Sequence, residues 1–578
     1  MNGHVEAKPA GRARTIGALW RDAAARGGPA FQRQTREGWE EVGWDEAAGR
    51  VDALAAGFLA ADVSAGEPVA LLARTRMEWT LCDLALASIG AVLVPIYPTA
   101  SAEEVRFIVE HCGVRMLIAE TARDVRRLGD GPAAQIVLME GDGEGTLAEL
   151  ERRGAAANLE EQVAARSAEV SEADVLTYLY TSGTTGTPKA CVLTHRNFTA
   201  MTEAVRALHV VGPGDSLLLF LPLAHNFARL MQYTAVSEGV PIIYCRDFIA
   251  VPKALTATRP TVVPGVPRFY EQVAAQVRSG IERLDPARRA AARWALRTAA
   301  AERAPGHRPG PLGRAKLAAA DRMALAKVRE RMGGRVRIGV SGGAPLPADV
   351  AELFQAAGVT VVEGYGLSEA TCASHFNRPE NPRPGTVGPP LPGIEARLDE
   401  GGEVLLRGET VFAGYLGDPE ATAEVLTPDG WLRTGDIGEI DQDGFLRIVD
   451  RKKDLIVTSG GKNIAPQKLE GALRADPLIS EALVVGDRRP YLVALIAPDL
   501  GEVRRLDLPR DELERRIGEA VARVNARVGK TERIARHAVL DRQFSQEHGE
   551  VTATLKLRRR TCADRFSATI DELYAARA

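Results

Sequence analysis

The sequence of 578 residues is poor in three things, and each shortage narrows what it can be. It has six cysteines, Cys82, Cys112, Cys191, Cys245, Cys372 and Cys562, scattered and without a C-x-x-C pair. That argues against a structural zinc site and for buried thiols in a reducing compartment. It has no surplus of charge, with 73 Lys and Arg against 76 Asp and Glu for a net −3, so no nucleic-acid partner is expected. It also has no unbroken apolar run long enough for a membrane. Leu81 to Tyr97 comes nearest, but Asp83, Gly90 and Pro95 interrupt it, and it predicts a buried helix running into a strand. The opening MNGHVEAKPAGRART is polar and lacks the apolar core of a signal peptide, so a cytoplasmic protein is expected. The length exceeds one ordinary core and implies two or three lobes.

What the chain does have is Tyr180 to His195, YTSGTTGTPKACVLTH. Gly183 and Gly186, the hydroxyls of Ser182, Thr184 and Thr185, and Lys189 make a loop whose amides and hydroxyls can converge on phosphate oxygens while the lysine supplies charge. Apolar runs on both sides, Val175 to Tyr180 and Cys191 to Thr194, predict a turn between two strands. The glycine and lysine spacing is not that of a Walker A loop.

Arg14 to Val63 predicts a short helix, a strand pair and a helix over Trp44 to Ala61. From Pro68, strands and helices alternate, which means parallel strands with crossover helices. Ser101 and Glu104 form a capping box within that run. A second such run has strands at Ser216–Leu221, Val240–Tyr244 and Thr261–Val266, with His225 just past the first. Residues 275 to 331 are helical and locally basic, with 14 Lys or Arg against 5 Asp or Glu between Arg278 and Arg331. Further on, VRIGVSGGAPLP predicts a strand and the turn Gly342, Gly343, Ala344, Pro345. TVVEGYGLSEAT predicts a strand over Thr360–Glu363, then a turn in which Gly364 and Gly366 flank Tyr365 and lead to Ser368 and Glu369. Small residues let backbone approach a flat ring that Tyr365 can cover, and Glu369 is a hard oxygen ligand suited to Mg²⁺. From Gly385, short strands and tight turns predict a β-subdomain, with Asp436 at a strand end after Gly435. Asp450 to Asp454 reads as a charged, exposed joint between two apolar strands.

These strings, with GEVTATLKLRRR near the end, stand in one order over about residues 15 to 570 and together resemble the adenylate-forming superfamily of acyl-CoA synthetases, adenylation domains and luciferases. The helical insert is similar to that of the long-chain acyl-CoA synthetase branch. The resemblance implies an α/β fold: a large N-terminal domain of α/β subdomains plus a small β-subdomain (1–452, insert about 275–331, β-subdomain about 385–450), hinged to a small mobile α+β C-terminal domain (453–578). It implies a large hydrophobic carboxylic acid, long-chain fatty or polycyclic, or its adenylate as substrate, with ATP or acyl-AMP, Mg²⁺ and CoA. By position it gives catalytic roles to Lys189, His225, Glu369 and Lys556, with His225 gating the channel between acyl site and thiol entry and Glu369 holding the metal. Nucleotide binding falls to Thr181, Ser182, Gly183, Thr184, Thr185, Gly186, Gly342, Gly343, Ala344, Pro345, Tyr365, Gly366 and Ser368, with Asp436 and Arg451 on the ribose. Lys453 takes the pivot, and Ser459, Gly460, Gly461, Lys462 and Asn463 the thioester-forming loop. The basic insert reads as two solvated helices or as a surface for anionic headgroups or the CoA phosphates, hence a peripheral membrane contact.

Three positions depart from the family's pattern. Ala190 stands where relatives usually carry Gly; if that backbone needs positive φ, a Cβ costs roughly 1 to 2 kcal/mol or displaces the loop. Asn226 follows His225 where an apolar residue is more usual, and Ala553 replaces a proline before the lysine loop. The leading expectation is an acyl-CoA ligase working through an acyl-AMP. One alternative keeps only thioester formation and leaves adenylation to a separate enzyme; another is a non-catalytic nucleotide or acyl-CoA binding protein.

Overall fold

A computed structural model describes residues 13–129, 134–181, 188–304, 307–458, 463–552 and 557–575. After the helix Ile16–Ala24, strands β1 (Pro29–Gln34) and β2 (Trp39–Gly43) form a hairpin leading into the helix Trp44–Ala60. Then β3 (Pro68–Leu72), β4 (Val92–Ile96), β5 (Met116–Ala119) and β6 (Gln135–Leu138) lie parallel, while β7 (Val175–Thr181) and β8 (Lys189–Thr194) pair as an antiparallel hairpin, giving a six-stranded sheet ordered β6-β5-β3-β4-β7-β8. The central strands are buried on both faces, which is why they read as continuous apolar runs. The capping box at Ser101 and Glu104 forms as expected.

Asp83, the charge that breaks the longest apolar run, lies in the buried helix Met77–Ser88 and is itself fully buried. Its carboxylate accepts from Arg229 Nη2 at 2.7 Å, Gln232 Nε2 at 2.9 Å and the Tyr233 hydroxyl at 2.7 Å, all on the helix Asn226–Glu238. The pair joins two layers of the fold. Removing one partner would leave an uncompensated buried charge, a loss of about 3 to 5 kcal/mol.

The second sheet takes β9 (Leu217–Leu219), β10 (Ile242–Tyr244), β11 (Val262–Gly265), β12 (Ile338–Gly342), β13 (Thr360–Tyr365) and β14 (His375–Phe376) together with β1 and β2, in the order β14-β13-β12-β11-β9-β10-β1-β2. β9 and β10 are shorter than the apolar runs suggest, and β13 runs two residues further, so Gly364 and Tyr365 are strand residues and the turn starts at Gly366. The basic insert folds as the helix Pro286–Glu302 and a second, Pro311–Ala320, that continues through a π-helical turn into Ala326–Glu330. They meet along small residues such as Ala292, Ala295, Ala299 and Ala320.

The β-subdomain is an antiparallel sheet of β15 (Ile394–Leu398), β16 (Glu403–Gly408), β17 (Leu432–Ile440) and β18 (Leu446–Arg451). Here the structure corrects the sequence reading: Asp436 lies inside a nine-residue strand and not at its end. Gly435 at φ 71° and the bulge between Ile437 and Gly438 bend the strand without ending it. Beyond a short pair, β19 (Ile456–Val457) and β20 (Asn463–Ile464), the strands β21 (Ile479–Val485), β22 (Leu492–Pro498) and β23 (Ile534–Val539) form a sheet with its own apolar cluster, which includes Leu469, Leu473, Ile496 and Ile517. Among the described residues no helix is long and apolar enough to cross a membrane.

Candidate active site

The two large sheets bring their carboxyl edges together, and there a cavity of about 1240 Å³ opens, with walls from both sheets, the β-subdomain and the C-terminal domain. The phosphate-loop hairpin forms as the sequence predicts, with Thr181 opposite Lys189 at its mouth. Ser182, Gly183, Thr184, Thr185 and Gly186 lie outside the described residues, as do Ser459, Gly460, Gly461, Lys462, Ala553 and Lys556. The strand pair below fixes where Lys189 starts. Its ammonium lies 5.2 Å from the centre of the Tyr415 ring and 4.0 Å from Asp418.

Ala190 sits in β8, opposite Tyr180, with its side chain buried. It is not among the positive-φ positions, so the strain that a Cβ would bring does not arise. Its carbonyl accepts from Leu416 N at 2.9 Å, part of a segment, Ala413–Leu416, that runs along the outer edge of β8.

Gly342, Gly343, Gly366, Tyr365, Ser368 and Glu369 all line the cavity; Ala344 and Pro345 are exposed and do not. Gly366 has a steric reason: a Cβ there would stand 1.7 Å from the Cys372 carbonyl oxygen. The Tyr365 hydroxyl donates to Asp436 Oδ2 at 2.7 Å, and burial with Asp436 beside it holds the phenol well above its usual pKa. Arg451 pairs across the strands with Asp436, its Nε 3.4 Å from Oδ1. Thus the tyrosine, the aspartate and the arginine, distant in sequence, form one cluster. Behind the glycine turn, Glu363 is buried and accepts from Leu346 N at 2.9 Å; burial pushes its carboxyl up to about 7.

Glu369 sits on a one-turn helix, Ser368–Ala370, and its Oε1 accepts from the Tyr415 hydroxyl at 2.7 Å. A single carboxylate facing a polar cavity fits Mg²⁺ whose remaining oxygens come from phosphates and water. Among the described residues no group of three His, Cys, Asp or Glu gathers to form an all-protein metal cage.

His225 caps the helix Asn226–Glu238, and its Nδ1 accepts from Phe227 N at 3.1 Å, which places the proton of the neutral ring on Nε2. Phe227, Leu230 and Met231 follow on the same helix and line an apolar arm of the cavity. Asn226 is buried and its amide donates to the Thr371 carbonyl.

At the joint, Lys452 is held twice, by N to Gly435 O at 2.8 Å and by Nζ to Glu403 at 2.9 Å. Lys453 is the next residue, exposed and at the cavity rim. Asp450, nearly fully buried, accepts from Gln467 N at 3.1 Å and is pushed up to about 6 by burial. Across the gap, Gln546, Gly549, Val551, Thr552 and Arg558 line the cavity, so the residues bracketing Lys556 face it. Gln546 reaches Thr99 at 3.3 Å and Arg558 reaches Glu104 at 3.6 Å. Asn463 starts β20, and Val457 is its strand partner.

Sequence reasoning missed Tyr415, Asp418 and Glu403. Tyr415 and Asp418 reach the site because residues more than 200 positions after the phosphate loop pack along β8, a pairing that no local pattern announces.

Residues 20–416 match the AMP-binding enzyme family and residues 453–578 the AMP-binding enzyme C-terminal domain. The chain is 39% identical over 565 residues, 94% of each chain, to long-chain-fatty-acid–CoA ligase FadD15 of Mycobacterium tuberculosis. It is 30% identical over 561 residues to human long-chain-fatty-acid–CoA ligase 1, covering 88% of this chain and 78% of that one. Its fold is similar to the adenylation domain of a Mycobacterium chelonae carboxylate reductase (TM-score 0.75, 23% identity, 97% and 91% covered) and to ATP-bound MatB of Rhodopseudomonas palustris (TM-score 0.70, 21% identity, 96% and 99% covered). The chain belongs to the AMP-binding enzymes, the adenylate-forming superfamily, in its long-chain acyl-CoA synthetase branch.

Proposed function

We propose that the protein activates a long-chain carboxylic acid with ATP and passes the acyl group to CoA. What carries this reading is one continuous cavity that joins a polar end, with Lys189, Glu369 and the Tyr365 cluster, to an apolar arm beyond His225. Relatives named as long-chain-fatty-acid–CoA ligases support it at 39% identity.

In the first half-reaction a carboxylate oxygen attacks the α-phosphorus of ATP and pyrophosphate leaves. Two anions must meet, so the barrier falls only where cations and donors are already in place. Lys189 and the loop after Thr181 hold the outer phosphates, Ser368 donates to the α-phosphate, and Lys556 bridges it to the carboxylate. Mg²⁺ at Glu369 would neutralise charge on the phosphate oxygens. Tyr365 covers the purine face, and Asp436 with Arg451 holds the ribose diol. In the second half-reaction the thiol of CoA attacks the acyl carbonyl and AMP leaves. Rotation about Lys453, between a doubly anchored Lys452 and the C-terminal domain, exchanges the Lys556 loop for the Ser459 to Asn463 loop, and His225 opens the path for the thiol.

The reading that keeps only thioester formation drew on three departures, at Ala190, Asn226 and Ala553, of which Ala553 lies outside the described residues. The first position is ordinary strand and the second makes a buried hydrogen bond. The insert exposes Trp294, Leu312 and Met323 among its cations and is where a peripheral membrane contact would form.

The test is acid-dependent exchange of labelled pyrophosphate into ATP, beside thioester formation from ready-made acyl adenylates. Both proceed on this reading. Thioester formation alone would revive the need for a separate adenylating enzyme, and nucleotide binding with neither reaction would make this a binding protein.

A further inference from the structure

The lining of the cavity includes Gly342 and Gly343, at the end of β12, Val340 earlier on that strand, and Val205 and Val210. Val205 stands one residue before the end of the helix His195–Arg206, and Val210 in the loop after it; both are buried. That loop has little regular structure of its own, and His209 within it is left-handed at φ 50°. What holds it is Arg337, the residue just before β12. Its Nη2 donates to the Val210 carbonyl at 2.9 Å and its Nε to Asp215 Oδ1 at 2.8 Å. Asp215 also accepts from Gly212 N at 2.9 Å and from Thr261 Oγ1 at 2.7 Å. The backbone of Arg337 is itself fixed between neighbouring strands, with N on Thr261 O and O on Thr360 N. The Arg337 side chain is 46% exposed. Val210 therefore lines the cavity while its backbone carbonyl is held by an arginine whose side chain is partly open to solvent.

We propose that Val210, held by the Arg337–Asp215 clasp, is the end wall of the acyl site and sets the longest chain the enzyme accepts. This rests on the ligase reading above and on the apolar arm as the acyl site. Each methylene buried along the arm raises kcat/KM roughly fourfold, and the gain stops where the chain end meets packed side chains. The clasp makes that limit firm, since the loop carrying Val210 is tied to Arg337 both directly, at the Val210 carbonyl, and through Asp215.

The experiment measures kcat/KM over a homologous series of saturated acids, medium to very long, for the wild type, Val210→Phe and Arg337→Met. Val210→Phe should lower the ratio of long-chain to medium-chain kcat/KM by at least about tenfold and move the optimum to shorter acids. Arg337→Met should move it to longer ones. Equal changes at every length, or an unaltered profile, would overturn the proposal. If Arg337→Met does not fold, Val210→Ala widens the arm without touching the clasp, and Val205→Phe narrows it from the helix side. If the wild type supports no acid-dependent exchange at any length, the ligase reading fails. Displacement of a fluorescent long-chain acid from the same variants then still shows whether the arm binds chains and where it ends.

Discussion

The side-chain amide of Asn226 donates to the carbonyl oxygen of Thr371, and so ties the residue after His225 to the turn after Glu369. Thr371 is fully buried and has a positive φ, φ 66° and ψ −45°, a conformation a β-branched residue rarely holds. Its hydroxyl donates to Thr410 O at 2.6 Å, so both its polar side chain and its carbonyl are tied down. Asn226 is thus a brace for the Glu369 turn, and an apolar residue in its place is not a repair. Asn226→Val should cost about 1 to 3 kcal/mol, because the Thr371 carbonyl is left buried and unpaired. Chemical denaturation measures that loss, and pyrophosphate exchange should fall with it. Unchanged stability with faster exchange would restore the view of Asn226 as a lesion.

Ala190→Gly should give no gain in adenylation. The position is extended strand, where glycine adds only chain entropy, so the substitution should destabilise by up to about 1 kcal/mol. A rise of several-fold in pyrophosphate exchange would contradict the strand geometry.

The parallel sheets were legible from the sequence because they are built from local signals: the apolar runs of β3 to β5, the capping box at Ser101, and a phosphate loop between two β-forming segments. Asp436 was misplaced because Gly435 read as a break, whereas in β17 it takes a positive φ within a strand that is paired on both sides and bulges two residues later. The roles of Asp83 and Asn226 were not legible at all. Each is a polar residue in an apolar setting, and its partner, Arg229 or the Thr371 carbonyl, lies about 145 positions away. Local periodicity reports which residues are buried and not which distant group satisfies them.

Glu363 gives the protein a pH-dependent stability term. Its carboxyl has an ordinary value of 4.5 and is pushed up to about 7 by burial, despite backbone N–H groups from Leu346 and Gly385. The folded state binds the proton more tightly, so this contribution is fully present below about 4.5 and is lost as pH rises through 7. Glu363→Gln cannot ionise. The difference in unfolding free energy, variant minus wild type, should therefore grow in the variant's favour from pH 5 to pH 8, by an amount on the order of 2 to 3 kcal/mol, read by chemical denaturation at each pH. A difference independent of pH would show that the carboxylate is ionised in the folded protein throughout.

Tyr415 links the two charged groups of the polar end: its hydroxyl donates to Glu369 at 2.7 Å and its ring lies 5.2 Å from the Lys189 ammonium. Tyr415→Phe removes the first contact and keeps the second. A hydrogen bond to a carboxylate contributes about 1.5 to 3 kcal/mol, so kcat for adenylation should fall by roughly tenfold or more. The magnesium concentration for half-maximal exchange should shift too, because the carboxylate is no longer held in one rotamer. Tyr415→Leu removes the ring as well and should in addition raise KM for ATP, since the Lys189 side chain loses the aromatic face that steadies it. Thioester formation from a ready-made adenylate needs neither the outer phosphates nor their metal and should be much less affected by Tyr415→Phe. Equal loss in both half-reactions would mean that Tyr415 supports the cavity as a whole and does not orient Glu369.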